Sequence, residues 1–358
     1  MKKTTVTSRD VARIAKVSQS AVSRAFTQGA SVSPALREHV LGVARDIGYR
    51  PNALARAMIS QKSGLIAVLV AYLDNHFYPQ ALEQLSRALQ KHGYQVLLFI
   101  TDEGNQDKVV RQMLQYQVEG IIMASATLSS NLAHECVKTG TPVILFNRYA
   151  RSSPASSVTS DNIAGAGMVA RFLAEGGHKR IAFIAGSEDS STGRDREAGF
   201  HRGLAECGMT LFASAAGDYT LAGAANAART LFAAAPRPDA VFVANDHMAF
   251  AVMDVLRDEM KLRVPEDVSV VGYDDVPEAG WGGYDLTTVL QPCEPMVAAA
   301  VAILLEQIEK RALHKRAVVL PARLIVRGSA RRPSPMKLAK DRAHAPGLAN
   351  SNFTPLKK

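Results

Sequence analysis

The chain has 358 residues, 47% of them hydrophobic, and 42 Lys and Arg against 33 Asp and Glu for a formal net charge of +9. That length exceeds one ordinary core, so two or three domains are expected, and the apolar content excludes a chain that stays unfolded. The charge is uneven: residues 1–62 and 331–358 are basic and the stretch between them is acidic, so a polyanionic partner is expected of the N-terminal segment alone. Cys136, Cys207 and Cys293 are scattered, odd in number and without metal-ligand or CxxC spacing, which reads as reduced thiols in a cytosol and no metal site. Met1-Lys2-Lys3-Thr4 leads into polar residues rather than a signal-peptide pattern, and apolar runs such as Leu65–Tyr72 are too short to span a bilayer. A cytoplasmic chain with no membrane partner is therefore expected.

In chain order, the first elements are two short helices with a tight turn between them. Thr7 caps the first, with Asp10 placed for a capping box, and Val11, Ala12, Ile14 and Ala15 form its apolar side. Ser18 caps the second, whose Ala21, Val22, Ala25 and Phe26 recur at helical spacing. Gln19, Ser20, Ser23 and Arg24 then face outward at a helix N-terminus. An Arg pairs bidentately with guanine, Gln with adenine, and Ser adapts to either. The helix N-terminus and the Ser18 hydroxyl suit a phosphate. Two such helices in a basic segment are the pattern of a helix-turn-helix. Ser33-Pro34 starts a third helix that ends at Gly48, and its apolar residues close a small core. Asn52 caps a further short helix with Leu54, Ala55 and Met58 on one face, too short to be stable alone in water.

From Leu65 the pattern alternates. Strands are expected at 65–70, 95–100, 120–123, 143–146, 180–184, 240–243 and 268–273, with an extended segment at 317–326. Helices are expected at 79–92, 108–116, 132–139, 163–175, 195–207, 221–234, 248–260 and 295–311. Apolar, β-branched strands between helices imply parallel sheets covered on both faces, and two successive series imply two doubly wound lobes. Ligands of such sheets lie beyond the carboxyl ends of the strands, here between the lobes. Strand-end residues 75–78, Asn147, Arg194, Arg196, Asn245, Asp246, Asp274 and Asp275 offer the donors and acceptors a polyhydroxylated ligand needs. Phe77, Tyr78 and Tyr219 could stack on an apolar ring face. Asn and Asp at these places also cap the following helices, Asp246 among them.

Residues 5 to about 328 resemble the LacI/GalR family of bacterial transcriptional regulators. The markers include Asp10-Val11-Ala12, Val22-Ser23-Arg24, Gly48-Tyr49, Pro51-Asn52, Asp161-Asn162, Asn245-Asp246 and Val271-Gly272-Tyr273-Asp274-Asp275, in register along the chain. The resemblance implies an all-α helix-turn-helix headpiece and an α/β body of two doubly wound parallel-sheet lobes, like a type I periplasmic binding protein. It implies a DNA-binding domain over 1–50, a hinge helix over 51–62 and a two-lobed effector-binding and dimerisation domain over 63–330. Lobe 1 would hold about 63–160 plus 293–318, lobe 2 about 161–291 plus 319–330, and a basic disordered tail would follow over 331–358.

The resemblance also implies partners: double-stranded operator DNA, a second copy of the chain, and a small effector that switches DNA affinity. Gln19, Ser20 and Arg24 match base-reading positions, and Met58 matches a wedge between central base pairs in the minor groove, where the family commonly has Leu. Arg196, Asp274, Asn245, Gln291 and Asn147 match polar effector contacts, and Phe77, Tyr78 and Tyr219 apolar or aromatic ones. The effector is expected to be a sugar or sugar acid, with a purine or other small metabolite as the alternative. The leucine heptads that make some members tetramers are absent, so a homodimer is expected. No cofactor is expected. Gly165-Ala166-Gly167-Met168-Val169-Ala170 nearly matches a dinucleotide fingerprint but falls at the start of or inside a helix, and no Ser/His/Asp spacing points to catalysis. A transport receptor would have no use for the head, and an architectural DNA binder no use for a two-lobed cleft.

Overall fold

The computed structural model describes residues 6–27, 29–50, 62–101, 105–125, 130–233 and 235–333. The short helix and tail expected at 51–62 and 331–358 thus lie almost wholly outside the described residues. The chain divides into two units, residues 1–64 and 65–358.

The first unit holds α1 (Ser8–Ile14), α2 (Gln19–Phe26) and α3 (Pro34–Asp46). Each begins at a side-chain cap. Thr7 Oγ1 accepts the Asp10 N–H while Asp10 Oδ2 accepts the Thr7 N–H at 3.0 Å, a full capping box. Ser18 and Ser33 accept the N–H groups of Ala21 and Leu36. The core is small and made of small residues: Val11, Ala12, Ala15, Val22, Ala25, Val40 and Ala44. Phe26 packs edge-on against Tyr49 at its rim. Ile14, expected inside, is 44% exposed. With Val11 and Ala15 already on the buried stripe, position 14 rotates to its edge. Arg37 of α3 donates to the carbonyls of Ala25, Thr27 and Ala30, satisfying acceptors left over at the end of α2.

In the second unit, β11 (Ala317–Leu320), β5 (Ser156–Ser160), β4 (Val143–Phe146), β3 (Gly120–Ala124), β1 (Leu65–Val70) and β2 (Gln95–Ile100) form a parallel sheet in that order. A second parallel sheet runs β7 (Ala213–Ala216), β6 (Ile181–Ala185), β8 (Ala240–Val243), β9 (Ser269–Val271). β10 (Thr288–Leu290) and β12 (Arg323–Ile325) make an antiparallel pair. The helices are α4 (Phe77–Lys91), α5 (Gln106–Gln115), α6 (Ser130–Lys138), α7 (Asn162–Glu175), α8 (Ser191–Glu206), α9 (Leu221–Phe232), α10 (Asp246–Asp254) and α11 (Cys293–Lys310).

Both faces of the first sheet are buried at its central strands. Ile66, Val68 and Val70 of β1 enter one core cluster, and Ala67 and Leu69 enter another with Met113, Ile121, Leu132 and Leu145. That is why β1 reads as an unbroken apolar run rather than an alternation.

Three strands escape sequence reading. β5 (Ser156-Ser157-Val158-Thr159-Ser160) and β7 (Ala213-Ser214-Ala215-Ala216) are polar or small, and β10 is three residues long. The segment expected as one extended stretch at 317–326 is two strands, broken at Pro321, with β11 paired to β5 and β12 to β10. α8 starts at Ser191, four residues before the expected position, because Ser190 caps it through Gly193. The expected helix 248–260 is α10 followed by a π-helical turn, Val255–Glu259. The glycine-rich run lies inside α7, where a Cβ on Gly165 would meet the Tyr273 hydroxyl at 2.4 Å. That glycine admits a ring rather than a phosphate.

Candidate functional site

Parallel strands bring their carboxyl ends to one edge of each sheet, and the residues just beyond those ends meet. After β1 comes Asn75, whose Oδ1 accepts the Phe77 N–H and whose Nδ2 donates to Asp274 Oδ2 at 3.4 Å. After β4 come Asn147, held at φ +57°, and Arg148. Asn147 Nδ2 reaches the Tyr78 hydroxyl at 3.5 Å. From the other sheet come Arg196 on α8, Asn245 after β8, and Asp274 after β9, at φ +134°. Further bonds cross between the two strand-end groups: Arg148 Nη1 to Thr192 Oγ1 at 2.7 Å, the Tyr149 N–H to Ser191 Oγ at 3.0 Å, and the Tyr149 hydroxyl to Asp195 at 2.8 Å.

Arg196 is the hub, 2% exposed. Its Nε donates to Asn162 Oδ1 at 2.8 Å, Nη1 to the Ala244 carbonyl and Nη2 to Asp274 Oδ1 at 3.3 Å. The guanidinium lies 3.8 Å from the centre of the Tyr273 ring, a cation–π contact. Gln291 Nε2 also donates to Asp274 Oδ1, at 2.7 Å, and Ser160 Oγ fixes the Gln291 amide from β5. Burial pushes the Asp274 carboxyl up, and Arg196 and then Gln291 oppose that rise. Asp246, fully buried beneath it, is pushed up to about 7 by burial and by the neighbouring charge of Asp274.

Asp246 is not the cap of α10. Asn245 is, through Oδ1 and the Met248 N–H at 2.9 Å, while Asp246 accepts the Thr288 hydroxyl and the Val276 N–H. The first helical position turns its side chain inward here, so it ties the β9–β10 connection together instead of closing a helix end.

Three buried polar atoms at three separate strand ends have no hydrogen-bond partner among the described residues: Asn147 Oδ1, the Tyr219 hydroxyl and Asn245 Nδ2. Buried polar groups normally find partners, and leaving each one unmade costs about 1–3 kcal/mol. Together they offer an acceptor, a hydroxyl and a donor.

Of the eight cleft residues expected from sequence, Tyr78, Asn147, Arg196, Asp274 and Gln291 join this connected set, and Asn245 borders it. Tyr219, at φ +57°, lies under Arg148 with the guanidinium carbon 6.0 Å from its ring centre. A Cβ on Gly186 would meet that ring at 2.1 Å, so the glycine makes room for it. Phe77 is not brought into the polar set: it is 1% exposed and stacks on Phe146 in the core. Sequence reading missed Arg148, Tyr72, Thr192 and Asn162. Arg148 is 4% exposed and bonds the Asn147 carbonyl, Thr192 and Tyr72. The signal present was its place next to Asn147 at a strand end.

In the first unit, Ser18, Gln19, Ser20, Ser23 and Arg24 are all exposed. Ser18 and Ser20 share a hydrogen bond of 2.9 Å, and Gln19 Nε2 donates to Ser8 Oγ of α1 at 2.9 Å, which links the two helices beside the exposed face. Asn52, Ala55 and Met58 lie outside the described residues.

Residues 7–52 match the family model of bacterial regulatory proteins, lacI family, and residues 170–330 match that of a periplasmic binding protein-like domain. The chain is 32% identical to catabolite control protein A of Priestia megaterium over 90% of its own length and 99% of that protein. The structure of transcriptional regulator CelR in complex with cellobiose is 32% identical, covers 91% of this chain and 100% of its own, and superposes with a TM-score of 0.69. That of the Lac repressor dimer bound to operator and the anti-inducer ONPF is 28% identical, with 91% and 99% coverage and a TM-score of 0.82.

Proposed function

Because the chain belongs to the LacI family of bacterial regulatory proteins, we propose that it represses transcription as a homodimer on a near-palindromic operator, and that a sugar or sugar acid in the cleft switches its DNA affinity. Two further relatives, each 30% identical, are the HTH-type transcriptional repressors PurR of Photobacterium profundum and CytR of Escherichia coli. The observation that carries the effector reading is the trio of buried, unpartnered polar atoms on Asn147, Tyr219 and Asn245, beside the Arg196–Asp274 pair. Donors and acceptors that converge from several strand ends suit a polyol, and one solved relative is described in complex with cellobiose.

The roles follow. Arg24, Gln19, Ser20 and Ser23 read base edges, and Ser18 sets the helix on a phosphate. Asn52, Ala55 and Met58 belong to a hinge segment over 51–62 that docks in the minor groove. Effector bonds that bridge the two strand-end groups change how the lobes sit, and through the dimer the spacing of the hinge segments. Operator and effector affinities therefore change by the same factor.

A thermal-shift screen of the full chain against sugars, sugar acids, sugar phosphates and nucleosides tests this. A ligand that binds only the folded state raises the melting temperature by mass action. The expected hit is a polyol that also changes operator affinity in a gel-shift titration. A hit that leaves operator affinity untouched would overturn the switch, and a nucleoside hit would replace the sugar.

A further inference from the structure

Four side chains of α2 face outward: Gln19, Ser20, Ser23 and Arg24. Ser20 shares a hydrogen bond of 2.9 Å with Ser18 inside its own turn. The side chains of Ser23 and Arg24 have no hydrogen-bond partner among the described residues. Gln19 differs from all three, because it is held from another helix. Its Nε2 donates to Ser8 Oγ on α1 at 2.9 Å, from eleven positions away in sequence.

The start of α1 leaves the Ser8 hydroxyl spare. Thr7 is the cap: its Oγ1 accepts the Asp10 N–H, and Asp10 Oδ2 accepts both the N–H and the hydroxyl of Thr7. Ser8 is the first helical residue and is half-buried. Its hydroxyl bonds Gln19 and, among the described residues, no backbone group of its own helix. The helix therefore has no need of a hydroxyl at this position, and the contact it makes is with a side chain of the readout face.

An exposed glutamine turns about three bonds, and its terminal torsion is broad, so the amide oxygen and nitrogen exchange places at little cost. The Ser8 bond removes that freedom. It fixes the side of the amide on which the nitrogen lies, and it engages one of the two hydrogens there. What remains for a partner is Oε1 and a single N–H. An acceptor beside a donor matches the N6 amino group and N7 of adenine. Guanine shows two acceptors, N7 and O6, in the same place. Meeting both would take both N–H groups of the amide, and Ser8 holds one of them.

We propose that Ser8 is a specificity-determining residue of the DNA interface: it orients the Gln19 carboxamide so that it selects adenine over guanine. This rests on the base-reading role given to Gln19 above and adds a positioning residue that acts through it. The bond also orders the side chain before DNA arrives, so less freedom is lost on binding.

The test uses the full chain and a library of duplexes with randomised sequence. Wild type, Gln19→Ala, Ser8→Ala and Ser8→Thr each select their preferred duplexes, and fluorescence anisotropy then gives the affinity ratio for adenine over guanine at each position. Wild type should select adenine at a position where Gln19→Ala loses that preference. At that same position Ser8→Ala should lower the ratio about two- to tenfold, the cost of ordering one free side chain, and leave the other positions as they were. Ser8→Thr, which restores a hydroxyl, should recover the ratio.

Two further readouts separate this role from a structural or phosphate-binding one. Ser8→Ala should keep the wild-type melting temperature, because Thr7 still caps α1, and the wild-type dependence of affinity on salt, because no phosphate contact is lost. An unchanged ratio in Ser8→Ala, a uniform weakening on every sequence, or selection of guanine by wild type at the Gln19 position overturns the proposal while Gln19 remains a base reader. Should Gln19→Ala select the wild-type sequence, the base-reading role and the proposal fall together.

Discussion

The two units of this chain use arginine in opposite ways. Arg24 on α2 is exposed beside a core of alanines and valines, while Arg148 and Arg196 in the body are 4% and 2% exposed and held on several sides. A duplex presents base edges several ångströms from the protein backbone, so its reader needs a long side chain free to reach them. A small molecule must be surrounded, so its reader is buried and aimed by its own protein contacts before the ligand arrives. On the proposed roles, the head would lose its base-reading arginine and still fold, whereas removing a cleft arginine from the body would cost stability.

The largest expected effect is on the body. Arg196→Leu leaves Asp274 buried without its counter-charge and should lower unfolding free energy by about 3–5 kcal/mol in urea titrations. A loss under about 1 kcal/mol would mean that the two carboxyls below it are already neutral, which would blur the contrast with the head.

Asp246 sharpens the contrast through pH. Its folded pKa of about 7 stands above the ordinary carboxylate value, so between roughly pH 4 and 7 the folded chain keeps a proton that the unfolded chain has lost. Stability from this group therefore falls as pH rises through that window, by up to about 4 kcal/mol. Asp246→Asn should remove the fall. His178, pushed down to about 4 by burial, slopes the other way over most of the window, up to its ordinary value, so the difference between variant and wild type is the quantity to read.

In the head, Arg24→Ala should reduce operator affinity by about 1–3 kcal/mol and relax specificity at one base pair, with the melting temperature unchanged. Equal weakening on every sequence would reassign Arg24 to a phosphate, and a lower melting temperature would break the comparison itself. The smallest effect is at the turn. Lys16 holds φ +53°, a conformation glycine adopts without strain. Lys16→Gly should stabilise the head by about 0.5–1 kcal/mol in a thermal melt, with base readout intact.

Sequence alone carried the head a long way. Thr7, Ser18 and Ser33 cap the helices they were expected to cap, because capping is settled within three or four residues. Alternating strands and helices likewise revealed parallel sheets from residue 65, because the central strands, buried on both faces, are continuous apolar runs. The strands it missed have no such signature. β5 is polar and β7 is made of small residues, and their hydrogen-bond partners rather than their side chains make them strands.

The cleft was legible as far as strand-end residue types reach. Asn147, Arg196, Asp274 and Gln291 stood out as polar residues at the right places, and the structure joins them. Arg148 did not stand out, since one arginine after an asparagine reads as a surface residue. What buries it is α8, which starts four residues earlier than its apolar pattern indicates and carries Thr192 to it from 44 positions away. The chain's local chemistry thus determined its helices, its apolar strands and which polar side chains stand at their carboxyl ends. Only the tertiary structure decided which charges were left facing each other, because that balance depends on groups far apart in sequence and close in space.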